Sequence, residues 1–270
     1  MPDELPKTNT GVRLGRRPED YVAGTAVSLP YKVVVPSGDW RPFVVIGEKQ
    51  DSPPTDSMAC VSFSATNSFE VQNKQQTGIE LNFSDRALAK LSGTTHDGNW
   101  LYKVADEARH NGLLLESEWP TPDTFNWDEF YKDIPQDVLN QRRQYNIGYE
   151  WIQVTKENLI KHLKHAPLQI VIPKIHPIHC VLLIALEGDT AFFFDSYPPY
   201  IKTINIANID DLALKMAFEA NMNKARIVKS KNSPTVYICY PVPSQKHLEE
   251  RTSLEGIAFD PANIPNSDTL

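Results

Sequence analysis

Asp56-Ser-Met-Ala-Cys-Val-Ser-Phe-Ser-Ala-Thr-Asn-Ser-Phe-Glu70 opens with two residues able to cap a helix, Asp56 or Ser57, and then sets Cys60, Phe63, Asn67 and Val71 near one helical face. The spacing predicts a helix with a thiol in its first turn. There the unpaired backbone N–H groups and the helix dipole favour the thiolate, which is the reactive form. A small buried hydrophobe on a core helix fits the same residues, because cysteine is among the most buried residue types. The segment alone leaves both readings open.

Working outward, residues 84 to 91 read as a second helix, capped by Ser84 and closed by Gly93. A third runs from about residue 99 to 110, with Leu101, Val104, Ala105 and Ala108 inward, and ends at Asn111-Gly112. After a connection rich in Trp and Pro (119 to 127) and short helical pieces to about residue 144, the pattern turns to strands. Residues 149 to 154, 168 to 173, 178 to 186, 191 to 197 and 236 to 240 carry the strand signal. Helices are expected at 155 to 165 and 210 to 222. Helices first and strands later make an α+β protein, whose unlike halves meet in a cleft that is the default site.

The 270 residues are 41% hydrophobic, enough for one large domain or two small ones with a full core. Residues 1 to 38 contain five prolines and the basic stretch Arg13-Leu14-Gly15-Arg16-Arg17, and read as an extended arm. The body spans 39 to 243, with a helical part at about 56 to 145 and a β part at about 146 to 243; residues 244 to 270 form a polar tail. The formal charge of -7 argues against nucleic acid as a partner. The longest apolar run, 180 to 186, is far short of the roughly 20 residues that span a bilayer, and MPDELPKTNT has no apolar signal-peptide core. No membrane and a cytoplasmic or virion-associated location are the expectations. Three cysteines, at 60, 180 and 239, form no disulfide framework and are expected to be reduced.

His179 heads the apolar strand Ile178-His-Cys-Val-Leu-Leu-Ile-Ala-Leu186, and Asp195 lies near the end of Ala191-Phe-Phe-Phe-Asp-Ser-Tyr197. If Gly188-Asp189 closes a hairpin between them, His179 pairs near residue 198 and Asp195 is close by on the neighbouring strand. A carboxylate on one ring nitrogen orients an imidazole so that the other can take a thiol proton. A satisfied core histidine and a strand-end aspartate are the plain alternatives for each residue by itself.

These residues together resemble the papain-like cysteine peptidases. Cys60-Val-Ser-Phe-Ser-Ala is similar to the nucleophile signature of that family, and Asp39-Trp40-Arg41 with Gln50 resembles its mature start and oxyanion-hole glutamine. Phe83-Ser84, Leu88, Ser92-Gly93, Gly98, Asn111-Gly112, Glu116 and Trp119-Pro120 follow in the family's order, and Asp195-Ser196-Tyr197 stands where it has Asn-Ser-Trp. The resemblance covers about residues 39 to 198. It implies a helical left domain and an antiparallel β right domain, and a cysteine endopeptidase with Cys60, His179 and Asp195 as catalytic residues and Gln50 as oxyanion donor. It further implies that Gly98, Asn99, Trp100 and Cys180 line the substrate site and that no cofactor is used.

The sequence also departs from the pattern. Val61 follows the nucleophile instead of Trp, Ser57 replaces a disulfide cysteine, and Gln50 is ten positions before Cys60 because a loop with Pro53-Pro54 is inserted. Asn99 replaces the second glycine of a pair whose backbone holds extended substrate, and is expected to narrow or block that edge. Divergent, disulfide-free members with an aspartate are associated with tailed-phage genomes. The 38-residue arm is too short for the helical inhibitory domain of family zymogens, so no autocatalytic activation is expected, and the arm should dock on its own chain or a partner. A zinc site from His162 and His165 with His176, His179 and Cys180 is disfavoured by the flanking Lys161 and Lys164 and by Pro177, so no metal is expected. The expected function is peptide or isopeptide hydrolysis. The alternatives are a structural, virion-like component with little turnover, bound to other proteins through arm and tail, and acyl transfer with the same triad.

Overall fold

The computed structural model describes residues 11–13, 33–145, 147–172, 179–206, 216–221, 224–226 and 237–239. The tail and most of the arm lie outside them. In chain order the first elements are β1 (Val12–Arg13), the hairpin β2 (Asp51–Ser52) and β3 (Thr55–Asp56), and the helix α1 (Cys60–Thr77). Then follow α2 (Asp85–Leu91), β4 (Asn99–Trp100), α3 (Leu101–Asn111), α4 (Trp127–Phe130) and α5 (Gln136–Leu139). The later part consists of β5 (Gly148–Gln153), α6 (Lys156–Leu163), β6 (Leu168–Ile172), β7 (His179–Glu187), β8 (Thr190–Phe194), β9 (Ile201–Asn205), β10 (Met216–Asn221), β11 (Lys224–Arg226) and β12 (Tyr237–Cys239).

Helix α1 is the shared wall of the two halves. It lies against α2 and α3 on one side and against β6, β7 and β10 on the other. Every residue from Cys60 to Gln72 is accordingly buried, and the four-residue stripe expected from the sequence is only part of its buried surface. Gly78, at φ 71°, ends the helix in the left-handed region that favours glycine, and its N–H bonds the Lys74 carbonyl. Ser84 caps α2 by accepting from the Ala87 N–H. Helix α3 starts at Leu101 rather than at 99, because Asn99 and Trp100 are drawn into a parallel pair with Val12 and Arg13.

Six strands form one antiparallel sheet in the order β5-β10-β6-β7-β8-β9. The helix expected at 210 to 222 is corrected here: Met216–Asn221 is a strand inserted between β5 and β6. Its sequence, Met-Ala-Phe-Glu-Ala-Asn, alternates as well as it fits a helical stripe, and the open edges on both sides decide for strand. The remaining members of that expected helix, before 216 and at 222, lie outside the described residues.

The main core gathers Val71 of α1, Leu159 and Leu163 of α6, and the inner faces of β6, β7 and β8. Trp40 is locked into it, its indole N–H donating to the Leu163 carbonyl at 2.6 Å and its backbone N–H to that of Ile184 at 2.8 Å. A smaller cluster on the helical side joins Ala59 and Phe63 to Ala89, Phe125 and Phe130. On the sheet side Gln169 of β6 donates to the Val61 carbonyl at 3.2 Å, so the start of α1 is tied to both halves.

Candidate active site

The β7–β8 hairpin begins in the register its turn sets, with Glu187 opposite Thr190 and Ala185 opposite Phe192. A bulge between Leu183 and Ala185 then shifts the pairing by one, so that Leu182 faces Phe194. In the unbroken register Asp195 would fall opposite Leu182, on the other face from His179. In the shifted register it falls opposite Val181, on the same face as His179. The outcome is a 2.6 Å contact between His179 Nε2 and Asp195 Oδ1, with both side chains buried.

Asp195 is held on three more sides. Its Oδ1 accepts the Tyr197 N–H at 3.2 Å, its own N–H donates to the Tyr200 carbonyl at 2.8 Å, and Lys202 Nζ donates to Oδ2 at 2.7 Å. Burial alone would raise this carboxyl, but the His179 and Lys202 interactions outweigh it and hold it below the usual carboxylate range.

Cys60 is the first residue of α1 and is fully buried. Its sulfur lies near the backbone N–H of Cys180, the residue after His179, and within electrostatic reach of the Cys180 thiol, Asp56 and Asp195. In this closed arrangement burial pushes the thiol well up, and the negative charges nearby add to it. The helix N-terminus does not by itself make Cys60 a thiolate here. The Cys180 sulfur, within electrostatic reach of Cys60 and Asp195, also meets Ser64 Oγ of α1 at 3.2 Å; it is buried and pushed up to about 12.

Gln50 reaches the same place through the β2–β3 hairpin. Its N–H donates to the Ser196 carbonyl at 3.1 Å and its carbonyl accepts from the Ser57 N–H, which stitches the segment before Cys60 to the segment after Asp195. The side-chain oxygen accepts from Ser196 Oγ at 2.7 Å. The side-chain nitrogen donates to Asp56 Oδ1 at 2.9 Å and to the Tyr197 hydroxyl at 2.6 Å. Tyr197 in turn donates to Asp56 Oδ2, and Met58 N–H donates to Asp56 Oδ1 at 2.7 Å. Met58 is held at φ 58°, strained for a residue with a side chain, two positions before Cys60.

The edge at 98 to 100 is occupied by the chain itself. Gly11 O accepts the Asn99 N–H at 2.9 Å, and Val12 and Arg13 pair in parallel with Asn99 and Trp100. Gly11 and Gly98 pass so closely that a Cβ on Gly98 would stand 2.0 Å from the Gly11 carbonyl carbon, and one on Gly11 2.0 Å from the Met58 carbonyl oxygen. The Asn99 side chain does not obstruct this edge. It is turned inward, donating to Ser92 O, Ser92 Oγ and Thr94 Oγ1 and accepting the Trp100 N–H.

Among the described residues no group of three or more His, Cys, Asp or Glu side chains is placed to hold a metal ion. His162 is buried with its Nδ1 3.9 Å from Glu150 Oε1, and no helix among those residues is long and apolar enough to cross a membrane.

No family model and no curated protein matches the sequence. Solved structures do match the fold. Procathepsin L2 from the larval midgut of Tenebrio molitor superposes with a TM-score of 0.57 at 15% identity, covering 80% of each chain. The Carica candamarcensis cysteine protease CMS1MS2, solved with E-64, gives 0.52 at 16% identity over 68% of this chain and 96% of that one. The proform of the ragweed pollen allergen Amb a 11, a cysteine protease, gives 0.53 at 17% identity over 73% and 67%. The chain has the papain-like fold. In that papain-like frame α1 and the six-stranded sheet are the two walls that bring residues 60, 179 and 195 together.

Three further residues around Cys60, His179 and Asp195 do not stand out in the sequence: Asp56 as a partner of Gln50, Tyr197 as a hydroxyl donor, and Lys202. Lys202 had a readable signal. Phe194 pairs with Ile201 and Phe193 with Lys202, so Asp195 and Lys202 are diagonal neighbours on one face of a hairpin, within reach of a long side chain.

Proposed function

We propose that the protein is a thiol peptidase acting on peptide or isopeptide bonds. The observation that carries this reading is the 2.6 Å His179–Asp195 bond at the strand end beside Cys60, the first residue of a buried helix. His179 takes the Cys60 proton, and the sulfur adds to the carbonyl carbon. The tetrahedral oxyanion is met by the Cys60 N–H at the start of α1 and by Gln50, once its amide turns from Asp56. The imidazolium returns the proton to the leaving amine as the C–N bond breaks. Water, deprotonated by His179, then attacks the thioester and releases the acid and the thiol. Asp195 orients the ring throughout.

A second reading, a papain-fold component of an assembly with little turnover, is favoured by two observations. The edge at 98 to 100 is filled by residues 11–13, and the Gln50 amide is engaged. Transfer of the acyl group to an amine instead of water would use the same thioester.

Labelling the intact protein with a peptide electrophile that reacts with thiols, followed by mapping of the modified residue, tests the proposal. Modification at Cys60, lost in His179→Ala, and turnover of a peptide library that Cys60→Ala abolishes are the expected results. Modification of Cys60 without any turnover selects the second reading, and no modification at Cys60 rejects both the peptidase and the acyl-transfer reactions.

A further inference from the structure

Lys202 Nζ lies 2.7 Å from Asp195 Oδ2 while Oδ1 of the same carboxylate contacts His179, and the lysine side chain is only 18% exposed. Its ammonium also stands 5.8 Å over the Tyr197 ring. Asp195 is fully buried, and a buried carboxylate is costly unless an opposite charge and hydrogen bonds satisfy it. Lys202 is the only lysine or arginine in contact with Asp195 among the described residues. The other ionisable groups facing the pair are the thiols of Cys60 from α1 and Cys180 from β7, the Asp56 carboxylate from β3, and the Tyr197 phenol. None of these supplies positive charge.

We propose that Lys202 is a positioning residue for His179: its ammonium pins Asp195 so that Oδ1 stays on the imidazole, and it balances the negative charge that an aspartate brings to this position. The inference rests on the peptidase reading of the site. An isolated aspartate would hold the imidazolium strongly and make the ring a reluctant proton donor to the leaving amine. Paired with Lys202, the carboxylate acts more like a neutral hydrogen-bond acceptor, orienting the ring while leaving its proton transferable. The diagonal placement of residues 195 and 202 across β8 and β9 makes this pairing a property of the hairpin.

The test is the NMR titration of the His179 ring in the full chain, with the resonance assigned from His179→Gln. Removing the cation leaves an unbalanced carboxylate that stabilises the imidazolium, so the midpoint should rise by roughly one pH unit in Lys202→Met and in Lys202→Gln. Lys202→Arg should keep the wild-type midpoint. Two neutral replacements are used so that one can be read if the other fails to fold. An unchanged or lowered midpoint in the folded neutral variants overturns the proposal, as does an Arg variant that titrates with them. This readout needs no turnover, so an inactive protein would end the peptidase reading without ending the test. Where turnover is present, the alkaline limb of kcat/KM against pH should move upward in step.

Discussion

Gln50 Nε2 lies 2.6 Å from the Tyr197 hydroxyl, and this contact takes one of the two hydrogens the amide has to give; Asp56 takes the other at 2.9 Å. An amide so engaged has nothing left for a developing oxyanion. Tyr197→Phe removes one acceptor and frees one N–H, at the cost of the donor on Asp56 Oδ2. The variant should therefore melt lower and turn over faster, by a factor between about 3 and about 100, the upper figure being what one oxyanion donor is worth. Adding Gln50→Ala should cancel the gain. A fall in kcat in Tyr197→Phe would mean that Tyr197 positions Gln50 productively.

The pairing of residues 11–13 with 98 to 100 predicts restrained access to Cys60. Gly11 has φ 114°, and any side chain there would run into the Met58 carbonyl, so Gly11→Val should lift β1 off its partner. Iodoacetamide should then modify Cys60 about tenfold faster than in the native chain, as expected for loss of roughly 1.4 kcal/mol of strand pairing. Cys180, buried against Ser64, should react as slowly as before. Because burial raises both thiols, the native rates should climb with pH above neutrality. Equal acceleration at both cysteines would point to general loosening. This goes beyond the sequence expectation that the arm docks without an activation step, since a docked segment at this edge also limits entry.

Two buried carboxyls of the helical half, Glu70 and Asp85, and the half-buried Glu116 predict greater stability in acid. Glu70 accepts the Phe83 N–H at 2.6 Å, Asp85 receives Thr66, and Glu116 receives the Thr121 N–H. Burial raises Glu70 and Asp85 well above their usual range and Glu116 to about 7, with Glu48 adding repulsion at all three. A carboxyl raised on folding contributes stability that is full below its unfolded value and is lost as pH climbs through the folded one. For Glu116 that window runs from 4.5 to about 7. Thermal midpoints should fall between pH 5 and pH 8, and Glu116→Gln, which keeps the acceptor for Thr121, should flatten the slope. A slope unaltered by Glu116→Gln would remove this carboxyl as its source.

What the sequence carried to the fold and site, and what it did not, follows from where the interactions are local. The Ser84 cap, the apolar stripe of α3 and the Gly188 turn depend on neighbours within a few residues, and all three are seen. The strand at 216 to 221 depends on partners some fifty to seventy positions away, so its helix-compatible pattern misled. The turn register of the β7–β8 hairpin was readable, but the bulge at Ile184 that turns Asp195 toward His179 leaves no local signal. Asn99 looked like an obstruction at the substrate edge because sequence spacing cannot tell which way a side chain turns; Ser92 and Thr94 draw it inward. The engagement of Gln50 by Tyr197 joins residues 147 positions apart and becomes visible only in three dimensions.

Substitutions at Asp195 should behave in a way that depends on Lys202. An asparagine at 195 can still accept a hydrogen bond from His179, so geometry alone would predict a working enzyme. The structure adds that Lys202 would then be a largely buried ammonium facing a neutral amide, competing with His179 for the one acceptor oxygen. Asp195→Asn alone is therefore expected to lose about tenfold or more in kcat/KM, and its alkaline limb should move down, because the anion is gone and the cation remains. Lys202→Met in the same chain removes the stranded charge, and the double variant should recover most of the activity with a limb nearer the wild type. The coupling between the two sites should be on the order of 1–3 kcal/mol, as for other contacting pairs. Asp195→Ala offers no acceptor at all and should gain nothing from Lys202→Met. Measuring kcat/KM against pH for the single and double variants, with thermal melts to confirm folding, checks each of these. If Lys202→Met leaves Asp195→Asn no better, the two side chains act independently on His179 and the hairpin diagonal is merely structural.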